Sequence, residues 1–270
     1  MTDRDLPAHS ARAAYRILRA DPVMAGLIAT AGRYRPEPLP DHPPFQSLVR
    51  AIAHQQLHGV AAQRILGRFI ELCGDGGFPK PQQVLAAADA QLRGVGFSYA
   101  KIAALKDLAA KTIEGTVPPR AELDTLADAE IIERLTAVRG IGRWTVEMML
   151  MFQLQRPDVL PVDDFGVRNG FRLAYRLRGM PTPRALAQFG ERWRPHRSLA
   201  AWYLWRAVDL ARRDLLPRAG RPPRIALQAP PKQRPKKSPD RARKRPSPQS
   251  SKPRPKRPGT QNLRRHSKRR

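Results

Sequence analysis

The chain holds a single cysteine, Cys73, among 270 residues. That excludes an intrachain disulfide, and with it a four-cysteine iron–sulfur cluster or zinc site. No apolar run approaches the ~18–20 residues that a membrane-spanning helix needs. The opening stretch, MTDRDLPAHSARAAYR, lacks the hydrophobic centre of a signal peptide. The expectation is a soluble, intracellular protein with no membrane partner. Strict apolar–polar alternation is almost absent, so strands are not expected. Acidic residues are scarce: 23 Asp and Glu stand against 50 Lys and Arg, for a formal charge of +27. Such an imbalance favours a polyanionic partner.

The charge is unevenly placed. From Pro217 to Arg270 there are 20 Lys and Arg, one acid (Asp240), twelve prolines and no aromatic residue. A segment of this composition cannot bury enough apolar area to fold. It is expected to be a disordered tail that adds sequence-independent phosphate affinity. Residues 1–216 carry 30 basic and 22 acidic side chains and all of the aromatics, and form the expected folded unit.

Within that unit helical spacing dominates. Residues 8–19 and 22–32 read as helices, the second with Asp21 as N-cap and Pro22 at its first position. Residues 33–44 are proline-rich and read as an extended connection. Helices follow over 45–56, 60–72, 81–93, 101–113 and 128–137, with breaks at Gly94-Val95-Gly96 and Thr116-Val117-Pro118-Pro119. A closing helix over 199–210 carries Trp202, Tyr203 and Trp205. The class is all-α.

One stretch concentrates the chemistry. Val138-Arg139-Gly140-Ile141-Gly142 frees the backbone for a sharp turn. Trp144, Met148, Met149 and Phe152 follow at helical spacing, so the turn opens onto a helix N-terminus, a ready seat for an anion such as phosphate. An extended Val159-Leu160-Pro161-Val162 then leads to Asp163 and Asp164 where the next helix begins, and either aspartate suits an N-cap.

LTAVRGIGRWTVE followed by VLPVDDFGVRNG resembles the helix-hairpin-helix DNA glycosylases that end in a Gly/Pro-rich loop and an aspartate, the HhH-GPD superfamily. The likeness is greatest to its 3-methyladenine DNA glycosylase II branch, and Glu191–Ser198 (ERWRPHRS) resembles a further family run. The resemblance spans roughly residues 45–210. It implies two helical subdomains with a cleft between them, residues of about 45–160 ending in the hairpin and packing against the N-terminal and 161–216 helices. It also implies base excision repair: a monofunctional glycosylase that hydrolyses the N-glycosidic bond of alkylated purines, of 3-methyladenine or 7-methylguanine type, flipped out of double-stranded DNA.

The family's catalytic aspartate falls on Asp164, with Asp163 read as the cap or support. Trp144, Trp205, Trp202 and Met148 are the implied base pocket, and Gln56, with Leu57 beside it, the wedge pushed into the duplex. Gly140, Ile141, Gly142, Arg143 and Thr145 form the implied phosphate-binding hairpin. The carbonyls of Thr136, Val138 and Ile141 would hold a sodium or potassium ion. No cofactor is otherwise required, and no iron–sulfur cluster is expected. Where lyase-competent members carry a lysine this chain has Trp144, so strand cleavage through a Schiff base is not expected. The resemblance further implies a monomer in the cytoplasm, associated with the nucleoid. Two alternatives stay open: a non-catalytic helix-hairpin-helix DNA-binding protein, and a glycosylase of the same fold for another damaged base.

Overall fold

The computed structural model describes residues 8–35 and 40–217. Among them are thirteen α-helices and no strand, as an all-α sequence requires. The N-terminal pair is α1 (Ala8–Arg19) and α2 (Pro22–Ala31). Next come α3 (Pro44–His54), α4 (Gly59–Cys73), α5 (Pro81–Ala86), α6 (Asp89–Gly94), α7 (Tyr99–Ile113), α8 (Arg120–Leu123), α9 (Asp128–Thr136) and α10 (Arg143–Phe152). The chain then runs through α11 (Phe165–Ala174), α12 (Pro183–Gly190) and α13 (Arg197–Arg212). The basic segment from residue 218 onward lies outside the described residues, as does the expectation that it does not fold. No helix of the described residues is long and apolar enough to cross a membrane.

Two helices act as axes. In one bundle α7 buries Ile102, Leu105, Leu108 and Ala109 and packs against α3, α5 and α6. In the other α13 buries Leu199, Tyr203, Leu204 and Ala207 and packs against α2 and α11. Burying each such large apolar side chain contributes about 1.5–3 kcal/mol. An aromatic cluster of Phe171, Tyr175, Phe189 and Trp193 fills the space below α11, with Phe171 and Tyr175 centroids 4.4 Å apart. Trp193 is fully buried.

Asp21 caps α2 as expected, its Oδ1 accepting the Val23 amide at 2.9 Å. Its other oxygen accepts the Tyr175 hydroxyl, so the same buried carboxylate ties α2 to the residue that ends α11. The single helix expected over 81–93 is instead two, broken at Ala87–Ala88. The Gln91 side chain accepts the Ala88 amide at 3.0 Å, as Gln83 accepts that of Lys80 at 2.7 Å. Each glutamine thereby starts its own short helix, and Val84 and Leu92 are both buried against the bundle. Such local capping competes with propagation of one continuous helix.

Candidate active site and nucleic-acid interface

A cavity of about 1270 Å³ opens between the elements that the sequence singles out. Its walls come from the end of α3 and the turn after it (Ala51, His54, Gln55, Gln56), from the hairpin and α10 (Gly140, Trp144, Thr145, Met148, Phe152) and from α13 (Leu199, Trp202, Arg206). Tyr34 closes one side, its ring edge-on to Trp202 at 5.0 Å. Trp144, Met148, Trp202, Gln56 and Thr145 thus meet around one space. Trp205 and Leu57 are not part of its lining.

Asp164 is not in the cavity's lining but is joined to it through Trp144. Its Oδ1 accepts the Val167 amide at 2.7 Å and the Trp205 indole N–H at 2.9 Å, and its Oδ2 accepts the Trp144 indole N–H at 2.8 Å. The first of these bonds makes Asp164 the N-cap of α11, a place the sequence reading gave to Asp163. Asp163 is exposed and lies one residue outside the helix start. One side chain therefore carries both assignments, because the cap residue is the one whose carboxylate turns inward to the first free amides.

Trp205 stands behind the cavity and not in its wall, stacked on Phe152 with centroids 5.9 Å apart. Its closeness to Asp164 depends on Gly166: a Cβ there would lie 2.8 Å from Trp205 Cδ1 and 3.1 Å from Asp164 Oδ1. The approach to α11 is held by the ERWRPHRS run. Arg197 donates to Asp158 at 2.7 Å, Arg194 bridges Glu191 and Asp158, and Ser198 accepts the Val159 amide at 3.0 Å. Arg168 grips the Pro181 carbonyl at 2.7 Å.

The hairpin joins α9 to α10. Gly140 takes a φ of +77°, in the left-handed region that a side chain disfavours. Ile141 is buried as the anchor of the turn, and its amide donates to Val138 at 3.1 Å; the Thr145 amide donates to Gly142 at 3.0 Å. Those two amides are used internally. The amides of Gly140, Gly142, Arg143 and Trp144 have no partner among the described residues, and all four residues are exposed. They leave a group of unpaired N–H donors at the N-terminus of α10, a place where a helix favours negative charge.

Side chains from α7 support this turn. Asp107 accepts the Arg139 amide at 2.7 Å, and Lys111 donates both to Asp107 and, at 2.7 Å, to the Ala137 carbonyl. Hydrogen bonds from the Arg139 amide and Lys111 hold the Asp107 carboxyl below its ordinary range, although burial pulls the other way. Gln56 likewise has a positive φ, +56°, and stands at the cavity mouth beside the partly exposed Leu57. Its neighbour Gln55 donates its side-chain amide to the Gly140 carbonyl at 2.9 Å.

Three contributors escaped the sequence reading. Glu147 is buried and bonded to Arg143 at 2.9 Å. Burial pushes its carboxyl up and nearby Asp163 and Asp164 add to this, while Arg143 opposes it. Arg143 is therefore held by a helical ion pair as well as being exposed at the hairpin. His196 is buried at the cavity, and burial lowers its imidazole below the usual range despite Asp158. Phe152, which joins Trp205 to the cavity, belonged to the helical stripe but carried no sign of that role.

The profile of the HhH-GPD superfamily base excision DNA repair proteins matches residues 49–195. The chain is 44% identical over 186 residues to DNA-3-methyladenine glycosylase 1 of Schizosaccharomyces pombe, covering 68% of this chain and 82% of that protein. Among solved structures, 3-methyladenine DNA glycosylase of the same yeast in complex with abasic DNA superposes with a TM-score of 0.65 at 41% identity, covering 74% of this chain and 98% of that one. DNA-3-methyladenine glycosidase from Bacillus halodurans gives a TM-score of 0.67 at 34% identity, covering 78% and 93%. With its hairpin, its aspartate and more than half of its length matched, the chain belongs to the HhH-GPD superfamily of base excision DNA repair proteins.

Proposed function

We propose that the protein is a monofunctional DNA glycosylase that hydrolyses the N-glycosidic bond of cationic alkylated purines, of 3-methyladenine or 7-methylguanine type, in double-stranded DNA. The observation that carries this reading is the carboxylate of Asp164, held by two indole N–H groups and a helix amide and joined through Trp144 to a sulfur- and aromatic-lined cavity. A carboxylate offers about four acceptor positions. Three are taken, which leaves one on Oδ2.

The exposed amides at the hairpin would bind a backbone phosphate, and Gln56 would fill the gap left by the rotated nucleotide. Trp144, Trp202 and Met148 would then receive the base, the two indoles favouring a cationic ring by about 0.5–2 kcal/mol per contact. The neutral imidazole of His196 adds no repulsion to that ring. As the C1′–N bond breaks, its electron pair leaves with the base, which departs neutral. Asp164 faces the positive charge that develops on the sugar. Water adds to C1′ and releases its proton to solvent, which leaves an abasic site and an intact strand. Removing a cationic base needs no strong general acid, and no carboxylic acid lines the cavity among the described residues.

A monovalent cation at the hairpin belongs to the same proposal. The Thr136 and Ile141 carbonyls have no partner among the described residues, and the Val138 carbonyl accepts one bond and keeps a second lone pair. These three carbonyls would hold a weakly bound sodium or potassium ion, which would supply positive charge near the hairpin. We also propose that the protein acts as a monomer in the cytoplasm, at the nucleoid. The deciding experiment incubates defined lesions in duplex oligonucleotides with excess enzyme. Release of 3-methyladenine and 7-methylguanine supports the reading. DNA binding without release of any base would favour the non-catalytic alternative.

A further inference from the structure

The sequence marks the wedge turn and the hairpin as separate motifs, 80 or so residues apart. In the fold both rest on α7. Lys101, near its N-terminus, donates to the Ala53 carbonyl at 2.9 Å and to the Gln55 carbonyl at 2.8 Å, at the end of α3 just before Gln56. Ala104, one turn on, lies under Gly140, whose added Cβ would meet the Ala104 Cβ at 3.2 Å. Asp107 and Lys111 hold Arg139 and Ala137 on the near side of the hairpin. At about 100° per residue these four positions fall within about a third of the helix circumference, and they span about 15 Å of its axis. Gln55 closes the arrangement by bonding the Gly140 carbonyl directly.

We propose that α7 is a strut that registers the duplex wedge against the phosphate hairpin, with Lys101 as the positioning residue of the wedge turn. The proposal rests on the reading of Gln56 as wedge given above. A left-handed residue such as Gln56 stays in place only if its surroundings over-determine it. The Lys101 ammonium does this by satisfying two carbonyls that the helix end leaves free. Burial lowers its pKa, in keeping with a group withdrawn from water to make these bonds. The second Gly-x-Gly of the sequence, Gly94-Val95-Gly96, then gains a purpose. It delivers the chain to Ser98, which caps α7 at its Lys101 end.

The test compares the full-length protein with its Lys101→Met variant in single-turnover excision of 7-methylguanine from two duplexes. In one the lesion is paired with cytosine; in the other it faces an abasic site, where a wedge has little left to do. A misplaced positioning element costs on the order of tenfold to a hundredfold in rate. That loss is expected on the paired lesion, with a change of less than about threefold opposite the abasic site. Fluorescence of a 2-aminopurine beside the paired lesion should show reduced unstacking in the same variant. Equal losses on both duplexes, or no loss on either, would overturn the strut. If Lys101→Met does not fold, Gln55→Ala cuts the tie to the hairpin and is judged by the same two duplexes. Gln56→Ala, run alongside, separates the two readings. A pairing-selective loss there with none in Lys101→Met removes the strut and leaves the wedge standing. No selective loss in either variant removes the wedge at Gln56 itself.

Discussion

Replacing Asp164 by Asn isolates the role of charge at this site more sharply than any truncation. Asn is as good an N-cap as Asp, so the Val167 amide keeps its acceptor and α11 keeps its start. The amide can point only one way. With its oxygen in the place of Oδ1 it still accepts from Val167 and Trp205; turned over, its NH2 would confront both donors. In the allowed orientation the NH2 group faces the Trp144 indole N–H across the 2.8 Å that now holds a hydrogen bond. Two donors cannot share that distance, so Trp144 must swing away. Trp144 is 52% exposed, and its release costs little in stability. With the loss of favourable charge at the helix N-terminus, about 0.3–1 kcal/mol, the total should be near 1 kcal/mol. The rate should suffer far more. A fixed charge or dipole aimed at transition-state charge is worth about 10²–10³-fold when removed. The assay pairs thermal unfolding with single-turnover base release, and adds binding to an abasic duplex, which should change little. Excision within about threefold of the parent would refute the assignment. A silent Asp163→Asn beside an active Asp164→Asn would move the site by one residue. A destabilisation large enough to melt the fold would mean that capping is all Asp164 does.

Four further outcomes follow from the geometry and composition. Borohydride should trap no protein–DNA adduct during turnover, because Trp144 stands where a lyase would present an amine; a trapped adduct on the folded domain would contradict this. Gly166→Ala should slow excision by about tenfold or more and cost about 1–3 kcal/mol, since the new Cβ drives Trp205 off Asp164; unfolding and excision assays read both. His196 resists protonation when folded, whereas the unfolded chain takes a proton near 6.5, so stability should fall as pH drops below that value. In His196→Gln the loss in melting temperature between pH 7 and pH 5 should shrink but not vanish, because His42 is shifted the same way. Deleting residues 217–270 should flatten the salt dependence of binding to undamaged DNA: if about a third of its basic residues engage, the log–log slope changes by about 5, at ~0.9 per contact, with excision at saturating enzyme unchanged.

The helices and the hairpin were legible because both are written in neighbours. Asp21-Pro22 announces α2, Gly140 and Gly142 announce the turn, and the stripe from Trp144 to Phe152 announces α10. The site was legible only by type. A carboxylate at the start of α11 could be read from Val162-Asp163-Asp164, but not which aspartate turns inward, because that depends on where the helix takes up its first amide. Trp205 could be placed near the base but not behind Phe152, since stacking between α10 and α13 has no local signature. Lys101 carries no local signal of its role. Its partners lie 46 and 48 residues away, and nothing in spacing or periodicity reports a bond of that range. The break at Ala87–Ala88 was missed for the opposite reason: two glutamines each capped a helix, and glutamine is ordinarily a residue that continues one.

One carboxylate caps a helix and, in the proposed function, faces the chemistry, and the combination bears on which bases can leave. A residue free to accept and return protons needs room to turn and lone pairs to spare. Asp164 lacks the room: a helix amide and two indoles hold both its oxygens and leave a single acceptor position on Oδ2, and Gly166 lets Trp205 close in until a methyl group would not fit. It is built as a fixed negative charge. The nearest buried acid, Glu147, is bonded to Arg143 and is absent from the cavity wall, so it does not supply the missing proton donor. A site with a fixed charge and no acid can speed the departure of a base that already carries its positive charge. It can do much less for a neutral base, which must pick up a proton as it leaves. Broad tolerance for the shape of an alkylated purine, in a large and soft-walled cavity, is therefore compatible with strict selection for its charge.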